Sequence, residues 1–453
     1  MFKPLKALKE SGDWKTILFH SSWSLTLGSG LSYFFGFLRD RILAQTFGLS
    51  RTLDIYNASF VIPDMMLGIL VGTALSAAFV PIFTKKYDEK KSLGYAYAHQ
   101  IITWGLTFMI TVAIVVAVVL PYFAHFLVPG FTADELDKYI LLTRVLLFSP
   151  ILFTISNSYG RILISVKEFL WWGLSPALYN IGIIIGIVFL VPKFGIVGLV
   201  LGTVFGVLLH LINRFWPLKK RKYAFKNKID FTFSPEIKET IELMLPKVLQ
   251  YAMWFVMLMA FTGIASKLPE GSVAAYNYAR NFMSLPVSLL GIAIAMAMYP
   301  ELSHDAGKGN FKKFKRDFKK NRLKSIIYTT LAAIVLFLLS KTIVSLLLGG
   351  GEFGQSDIDL LSSVLMVYCF AIPLESLMHA YHRAYYSLRN TVIPAILHAL
   401  IILATILSAK TLAPIIGVHA IPASFAGGLL IQIIILAIIF PILLGRREEG
   451  CQD

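Results

Sequence analysis

The run "TWGLTFMITVAIVVAVVLPYF" (Thr103–Phe123) carries no charged residue. A helix rising 1.5 Å per residue crosses a hydrocarbon layer of about 30 Å in roughly 20 residues, so this stretch is long enough to span a bilayer. Similar runs recur along all 453 residues, which are 57% hydrophobic and 15% charged. A soluble protein would have about 25% charged residues. Backbone polar groups in lipid must be satisfied within the segment, so long apolar runs cross as helices rather than open strands. The expected fold class is an all-α polytopic membrane protein.

Hydropathy places about twelve spans. The first six cover 17–38, 55–83, 98–127, 139–163, 170–192 and 195–217. The second six cover 239–267, 273–302, 325–347, 357–387, 390–409 and 421–444. Lysine and arginine cluster in the even loops, as in Lys85, Lys86, Lys90 and Lys91 after span 2. Arg214, Lys219, Lys220 and Arg221 stand at and after the end of span 6, and the run Lys312–Lys324 follows span 8. The odd loops, such as "FTADELDK" (131–138), are neutral or acidic. Positive-inside therefore puts both termini in the cytoplasm. The net charge of +16 follows from this bias and from attraction to anionic lipid, with no need of nucleic acid. The N-terminus reads as a cytoplasmic amphipathic lead-in. Cys369 and Cys451 give no disulfide framework.

The longest basic linker, 218–238, falls at the midpoint. It divides the chain into an N-terminal six-helix lobe (1–217) and a C-terminal six-helix lobe (239–453), expected to surround a central cavity. The halves share a pattern: Tyr56-Asn57…Pro63-x4-Gly68…Pro81 in span 2 and Tyr276-Asn277…Pro286-x4-Gly291…Pro300 in span 8. An even number of spans per half keeps the repeats in one orientation, and prolines with glycines inside spans mark bends.

A charge inside a span is expensive unless it meets a cavity or a partner. In "FFGFLRDRILAQTFG" (Phe34–Gly48), Arg39, Asp40 and Arg41 interrupt two apolar runs at the expected exit of span 1. About 100° separates successive helical residues, so Arg39 and Arg41 face nearly opposite ways. Arg39, Arg144 and Arg280 fall in the outer parts of their spans and suggest an electropositive chamber for an anionic, phosphate-bearing substrate. Arg144 has a second reading, snorkelling to the outer interface. Lys247 and Glu375 lie toward the cytoplasmic ends and serve as an ion pair, a gate or a coupling element. Asp64 after Pro63 either caps a bend or binds an ion. His210 and His398 read as packed, hydrogen-bonded histidines. No Walker loop, HExxH, GxSxG or cysteine–histidine metal spacing occurs, so the expectation is a carrier, not an enzyme, with no metal.

The stretch "FGFLRDRILAQTFGLSRTLDIYNASFVIPDMMLGILVGTALSAAFVPIF" (35–83) resembles the opening of the MurJ/MviN lipid II flippases. "RVLLFSPILFTISNSYGRILISVKEFLWWGLSPALYNIGIIIG" is similar to that family's spans 4 and 5, and "YNYARNFMSLPVSLLGIAIAMAMYPELS" to its span 8. "RAYYSLRNTVIP" is similar to its junction before span 11. The resemblance implies a two-lobed exporter fold and alternating-access movement of the undecaprenyl-diphosphate-linked peptidoglycan precursor across the bacterial cytoplasmic membrane. It implies substrate contacts at Arg39, Asp40 and Arg280, and cell-wall synthesis proteins as expected partners. No cofactor is implied; the drive is the membrane potential or a monovalent cation. The chain departs from the pattern at Tyr33, Leu67 and Gly68, where members carry arginines, and at Ala279, where they carry an acid. Many members have fourteen spans. The alternatives are a polysaccharide-lipid flippase, a multidrug–cation antiporter and a non-transporting scaffold; an antiporter should show deep acidic residues where arginines prevail here.

Overall fold

The computed structural model describes residues 21–70, 79–220 and 229–449, and among them there is no strand, only an isolated bridge between Gly350 and Phe353. In chain order the helices are α1 (Ser21–Phe47), α2 (Arg51–Ser59), α3 (Val61–Ile69), α4 (Phe79–Glu89), α5 (Lys91–Leu127), α6 (Ala133–Leu146) and α7 (Phe148–Ser165). Next come α8 (Phe169–Ile185), which runs through a π-helical turn (Gly186–Leu190) into α9 (Val191–Phe194), then α10 (Ile196–Lys220) and α11 (Pro235–Ser266). Then α12 (Ser272–Pro286) passes through a second π segment (Val287–Ile292) into α13 (Ala293–Gly307). The remainder are α14 (Phe311–Leu338), α15 (Ser340–Leu348), α16 (Gln355–Cys369), α17 (Ala371–Ser387), α18 (Val392–Ile416) and α19 (Ala420–Glu449).

Among the described residues, eight stretches are long and apolar enough to cross a membrane, the last of them, Val392–Gly445, containing both α18 and the apolar part of α19. They cover the expected spans 3 to 6 and 8 to 12. Span 7 corresponds to α11, whose apolar part is Tyr251–Ser266. Span 1 is α1. Span 2 is divided among α2, α3 and α4, and residues 71–78 within it lie outside the described residues. One boundary is corrected: α1 does not end near residue 38 but continues to Phe47. The Arg39-Asp40-Arg41 triplet therefore lies inside a helix, more than a turn from its end.

The chain forms two compact units. One comprises 1–46, 55–126 and 131–255; the other comprises 47–54, 127–130 and 256–453. In the first unit α8 and α10 approach through glycine. A Cβ on Gly182 would lie 2.1 Å from the Gly206 Cα, and one on Gly202 would lie 2.3 Å from the Gly186 Cα. Small residues let helix backbones meet where lipid supplies no hydrophobic drive. In the second unit α14, α17 and α19 share an aromatic core in which Phe318, Tyr381, Tyr385 and Phe440 lie ring to ring.

Each unit contains the same joint. At the end of α7, Val166, Lys167 and Glu168 donate their N–H groups to Ile162, Ile164 and Leu163. At the end of α17, Leu388, Arg389 and Asn390 donate to Ala384, Tyr386 and Tyr385 in the same pattern. Lys167 (φ 64°) and Arg389 (φ 56°) take the left-handed conformation that closes such helix ends, usually with glycine. Further along each unit, Gly195 (φ 57°), between α9 and α10, and Gly417 (φ 60°), after α18, turn the chain. At the site of the expected bend in span 8, a π segment follows Pro286 and contains Gly291.

Candidate functional site

In the first unit, the Arg39 guanidinium is held on two sides. Its Nε and Nη2 donate to Oδ1 of Asp40 at 2.9 and 2.6 Å, and its Nη1 donates to Oδ1 of Asn180 at 2.9 Å. Asn180 is itself fixed by donating to the Ser32 carbonyl at 3.3 Å. Gly36 of α1 faces the same side chain, and a Cβ there would make ordinary contact with the Asn180 amide nitrogen at 3.5 Å. The Arg39 and Asp64 charges both act on the hydroxyls of Tyr56 and Tyr179, which places the four residues in one electrostatic neighbourhood. Tyr56 is buried and shares a 3.1 Å hydrogen bond with Thr203. Asp64 stands in the first turn of α3, where the helix dipole favours an acid.

Arg144 is not part of this group. It is exposed and donates to the Ala117 carbonyl of α5 at 2.9 Å. Lys247 lies on α11, and its side chain is outside the described residues.

In the second unit, Arg280 lies midway along α12, partly buried. It donates from Nη2 to the Asn277 side chain at 3.4 Å, and among the described residues no carboxylate is within ion-pair distance of it. The turn that carries it is anchored by Tyr276, whose hydroxyl meets Thr262 at 2.7 Å. Glu375 lies on α17, with Oε1 3.9 Å from Nε2 of His379. Arg280 and Glu375 are close enough for their charges to interact. Both predicted histidines are hydrogen-bonded: His210 to Ser156 at 2.7 Å and His398 to Gln432 at 3.3 Å. Cys369 is buried and free, whereas Cys451 lies outside the described residues.

Three residues that the sequence reading left aside carry much of the polar structure. Asn180 has no charge to draw notice inside an apolar span. Arg214 falls in the sequence among the basic residues at the end of span 6, but it is buried in α10 and donates to Ser175 Oγ, the Ser156 carbonyl and Asn157 Oδ1 at 2.9, 3.1 and 2.9 Å. Asp54 reads as an ordinary loop acid ahead of span 2. It is fully buried in the second unit, accepting the N–H groups of Gly271 and Ala274 at 2.8 Å each, with Arg51 3.6 Å away. Gly271 is required there: its φ is 81°, and a Cβ would lie 2.4 Å from the Leu49 carbonyl oxygen. Gly68, where relatives were expected to carry arginine, faces Phe255, and a Cβ would lie 2.4 Å from its ring.

Residues 43–445 match the sequence model of the family described as Lipid II flippase MurJ. A probable lipid II flippase MurJ of Bdellovibrio bacteriovorus is 28% identical over 418 residues, covering 90% of this chain and 78% of the relative. Among solved structures, a lipid II flippase MurJ in an inward closed conformation superposes with a TM-score of 0.77 at 21% identity, over 92% of this chain and 87% of that one. An inward-facing multidrug resistance MATE family transporter of the MOP superfamily gives a TM-score of 0.74 at 14% identity, over 92% and 96%. The outward-facing form of such a transporter gives 0.63 at 16%, over 95% and 97%.

Proposed function

The chain belongs to the lipid II flippase MurJ family, and from that premise we propose that it carries lipid II, the undecaprenyl-diphosphate-linked peptidoglycan precursor, from the inner to the outer leaflet of a bacterial cytoplasmic membrane. The observation that carries this reading is Arg280, a guanidinium deep in an apolar helix with no carboxylate within ion-pair distance among the described residues. Such a group is costly unless an anion visits it. A diphosphate matches the planar fork of arginine, and where water is excluded their mutual attraction strengthens to offset the cost of dehydration.

Arg39 has a different part. Asp40 neutralises it and, with Asn180, fixes its direction, so it offers an oriented donor with less net charge. In this reading Arg280 supplies attraction and the Arg39–Asp40 pair supplies geometry. Asp64, Lys247 and Glu375 belong to gating or coupling, and Arg144 snorkels to the outer interface. The termini face the cytoplasm, as the lysine and arginine bias requires. The protein is a carrier without a reaction of its own. Alternating access follows from two parallel repeats that bend at the proline–glycine sites of spans 2 and 8. The membrane potential, inside negative, favours outward movement of an anion by about 2.3 kcal/mol per charge per 100 mV.

The test is to supply the chain to a bacterium depleted of its own lipid II flippase. Rescue of growth by the wild-type chain and its loss in Arg280→Ala, at equal membrane levels, are the expected outcomes. A well-expressed wild-type chain that fails to rescue would point to another lipid-linked cargo. An Arg280→Ala chain that rescues fully would remove the observation on which the reading rests.

A further inference from the structure

Among the described residues, the buried side-chain oxygens without a hydrogen-bond partner are hydroxyls with one exception, Oε2 of Glu375. An unsatisfied hydroxyl costs little beside an unsatisfied carboxylate oxygen. The other oxygen, Oε1, lies 3.9 Å from His379 Nε2, too long for a hydrogen bond. The opposite charge that acts on Glu375 is Arg280 of α12. The hydroxyl of Tyr368 in α16 senses both charges, which places it near each. Two opposite charges thus lie in one apolar region of the second unit. They are near enough to feel each other, too far apart to pair, and each is poorly satisfied. The helices that bear them are also mechanically joined: a Cβ on Gly291, in the π segment that continues α12, would lie 2.2 Å from Oγ of Ser376, the residue after Glu375.

The other titratable groups around α17 are already engaged. His382 and His398 both meet the Gln432 side chain of α19, at 3.2 and 3.3 Å. Arg383 lies over the rings of Tyr299 in α13 and Tyr386, 5.8 and 5.9 Å from their centroids. Arg322 of α14 donates to the Tyr381 hydroxyl at 2.8 Å. Tyr276 of α12 is bonded to Thr262. His379 remains the neighbour of Glu375, one helical turn away.

We propose that Glu375 binds a proton and, when ionised, serves as an internal counter-charge that offsets Arg280 and so weakens its hold on the diphosphate of the cargo. The inference rests on the reading above that Arg280 holds an anion. With Glu375 ionised, its charge offsets Arg280 and the anion is held weakly. With a proton from water on the carboxyl, Arg280 presents its full charge. Linkage makes the effect reciprocal: a bound anion strengthens proton binding by the factor by which the proton strengthens anion binding. Loading therefore takes up a proton, and deprotonation of Glu375 promotes release.

The test uses the full chain in nanodiscs with two probes, a short isoprenyl diphosphate and inorganic pyrophosphate. A pH indicator in weakly buffered solution reports proton uptake on binding. Midway between the titrations of the free and the probe-bound chain, wild type takes up about half a proton more per bound probe than Glu375→Gln does. In alkaline buffer Glu375→Gln binds roughly tenfold more tightly than wild type, and in acidic buffer the two converge. His379→Gln keeps the wild-type behaviour. Equal uptake and equal affinity in wild type and Glu375→Gln would overturn the proposal. If no variant binds either probe, the anionic-cargo reading fails, and infrared difference spectroscopy decides the proton question alone. The protonated-carboxyl band absent from Glu375→Gln should titrate at a different pH in Arg280→Gln than in wild type. An unmoved band would sink the Arg280–Glu375 relationship whatever the cargo.

Discussion

The carboxylate of Asp54 accepts the backbone N–H of Ala274, a residue 220 positions later, at 2.8 Å. It also takes the N–H of Gly271, so one buried side chain satisfies two donors at the start of α12, the helix that carries Arg280. The second unit thereby includes residues 47–54 from the first half of the sequence. Asp54→Ala would leave both donors and Arg51 without this acceptor and should destabilise the second unit by about 3 kcal/mol. Thermal unfolding of the purified chain checks this, and Asp54→Asn, which keeps an acceptor oxygen, should lose less.

Arg39 and Asp40 should behave as a pair. Asp40→Asn leaves Arg39 with its Asn180 contact but removes the compensating charge. Transport should fall roughly tenfold or more, because the freed guanidinium loses its fixed direction. Asn180→Ala should produce a smaller loss, and the double variant should lose less than the two single losses combined. Flipping measured in reconstituted vesicles distinguishes these outcomes.

Helix contact through glycine sets a steric limit in the first unit. Gly182→Leu would drive a side chain into the backbone of α10 at Gly206. Overpacking of this kind costs about 1–3 kcal/mol or more, and here the obstacle is main chain that cannot rotate aside. Gly30, with nothing within 4 Å of its Cβ position, is the matched control. Gly30→Leu should leave the unfolding temperature nearly unchanged.

The connection after α13 should show a pH signature. Asp305 is buried and accepts two contacts from Lys313 Nζ, at 2.8 and 3.1 Å. The Lys313 hydrogen bond holds its carboxyl below the usual range, and the same contact raises the Lys313 ammonium. A depressed carboxyl contributes stability above the unfolded value, about pH 4, and loses it as pH falls through the lower folded value. The stability gap between wild type and Asp305→Asn should therefore be constant near neutrality and close as pH drops below about 4. A gap that widens on acidification would contradict this assignment.

The spans were legible because apolar run length is a one-dimensional signal, and the run Thr103–Phe123 needs no partner to be recognised. Arg280 and Glu375 stood out for the same reason: charge inside such a run is rare. Arg39 was visible too, but its neutralisation by Asp40 and its second contact with Asn180 depend on a distant helix. Asp54 and Arg214 escaped because each lies near the end of an apolar run, where charge is ordinary. Only folding shows that their surroundings exclude water. The extension of α1 to Phe47 was hidden because Arg39, Asp40 and Arg41 lower hydropathy, although the two arginines are good helix formers.

The joints after α7 and α17 have one further consequence. Each is closed by three successive main-chain N–H donors, and the pentapeptides that form them, "SVKEF" (165–169) and "SLRNT" (387–391), share only their first residue. The geometry is thus written in amides rather than in side chains, and residue identity could drift while the corner kept its shape. Kinship between the two halves is better preserved in their torsion angles than in their letters.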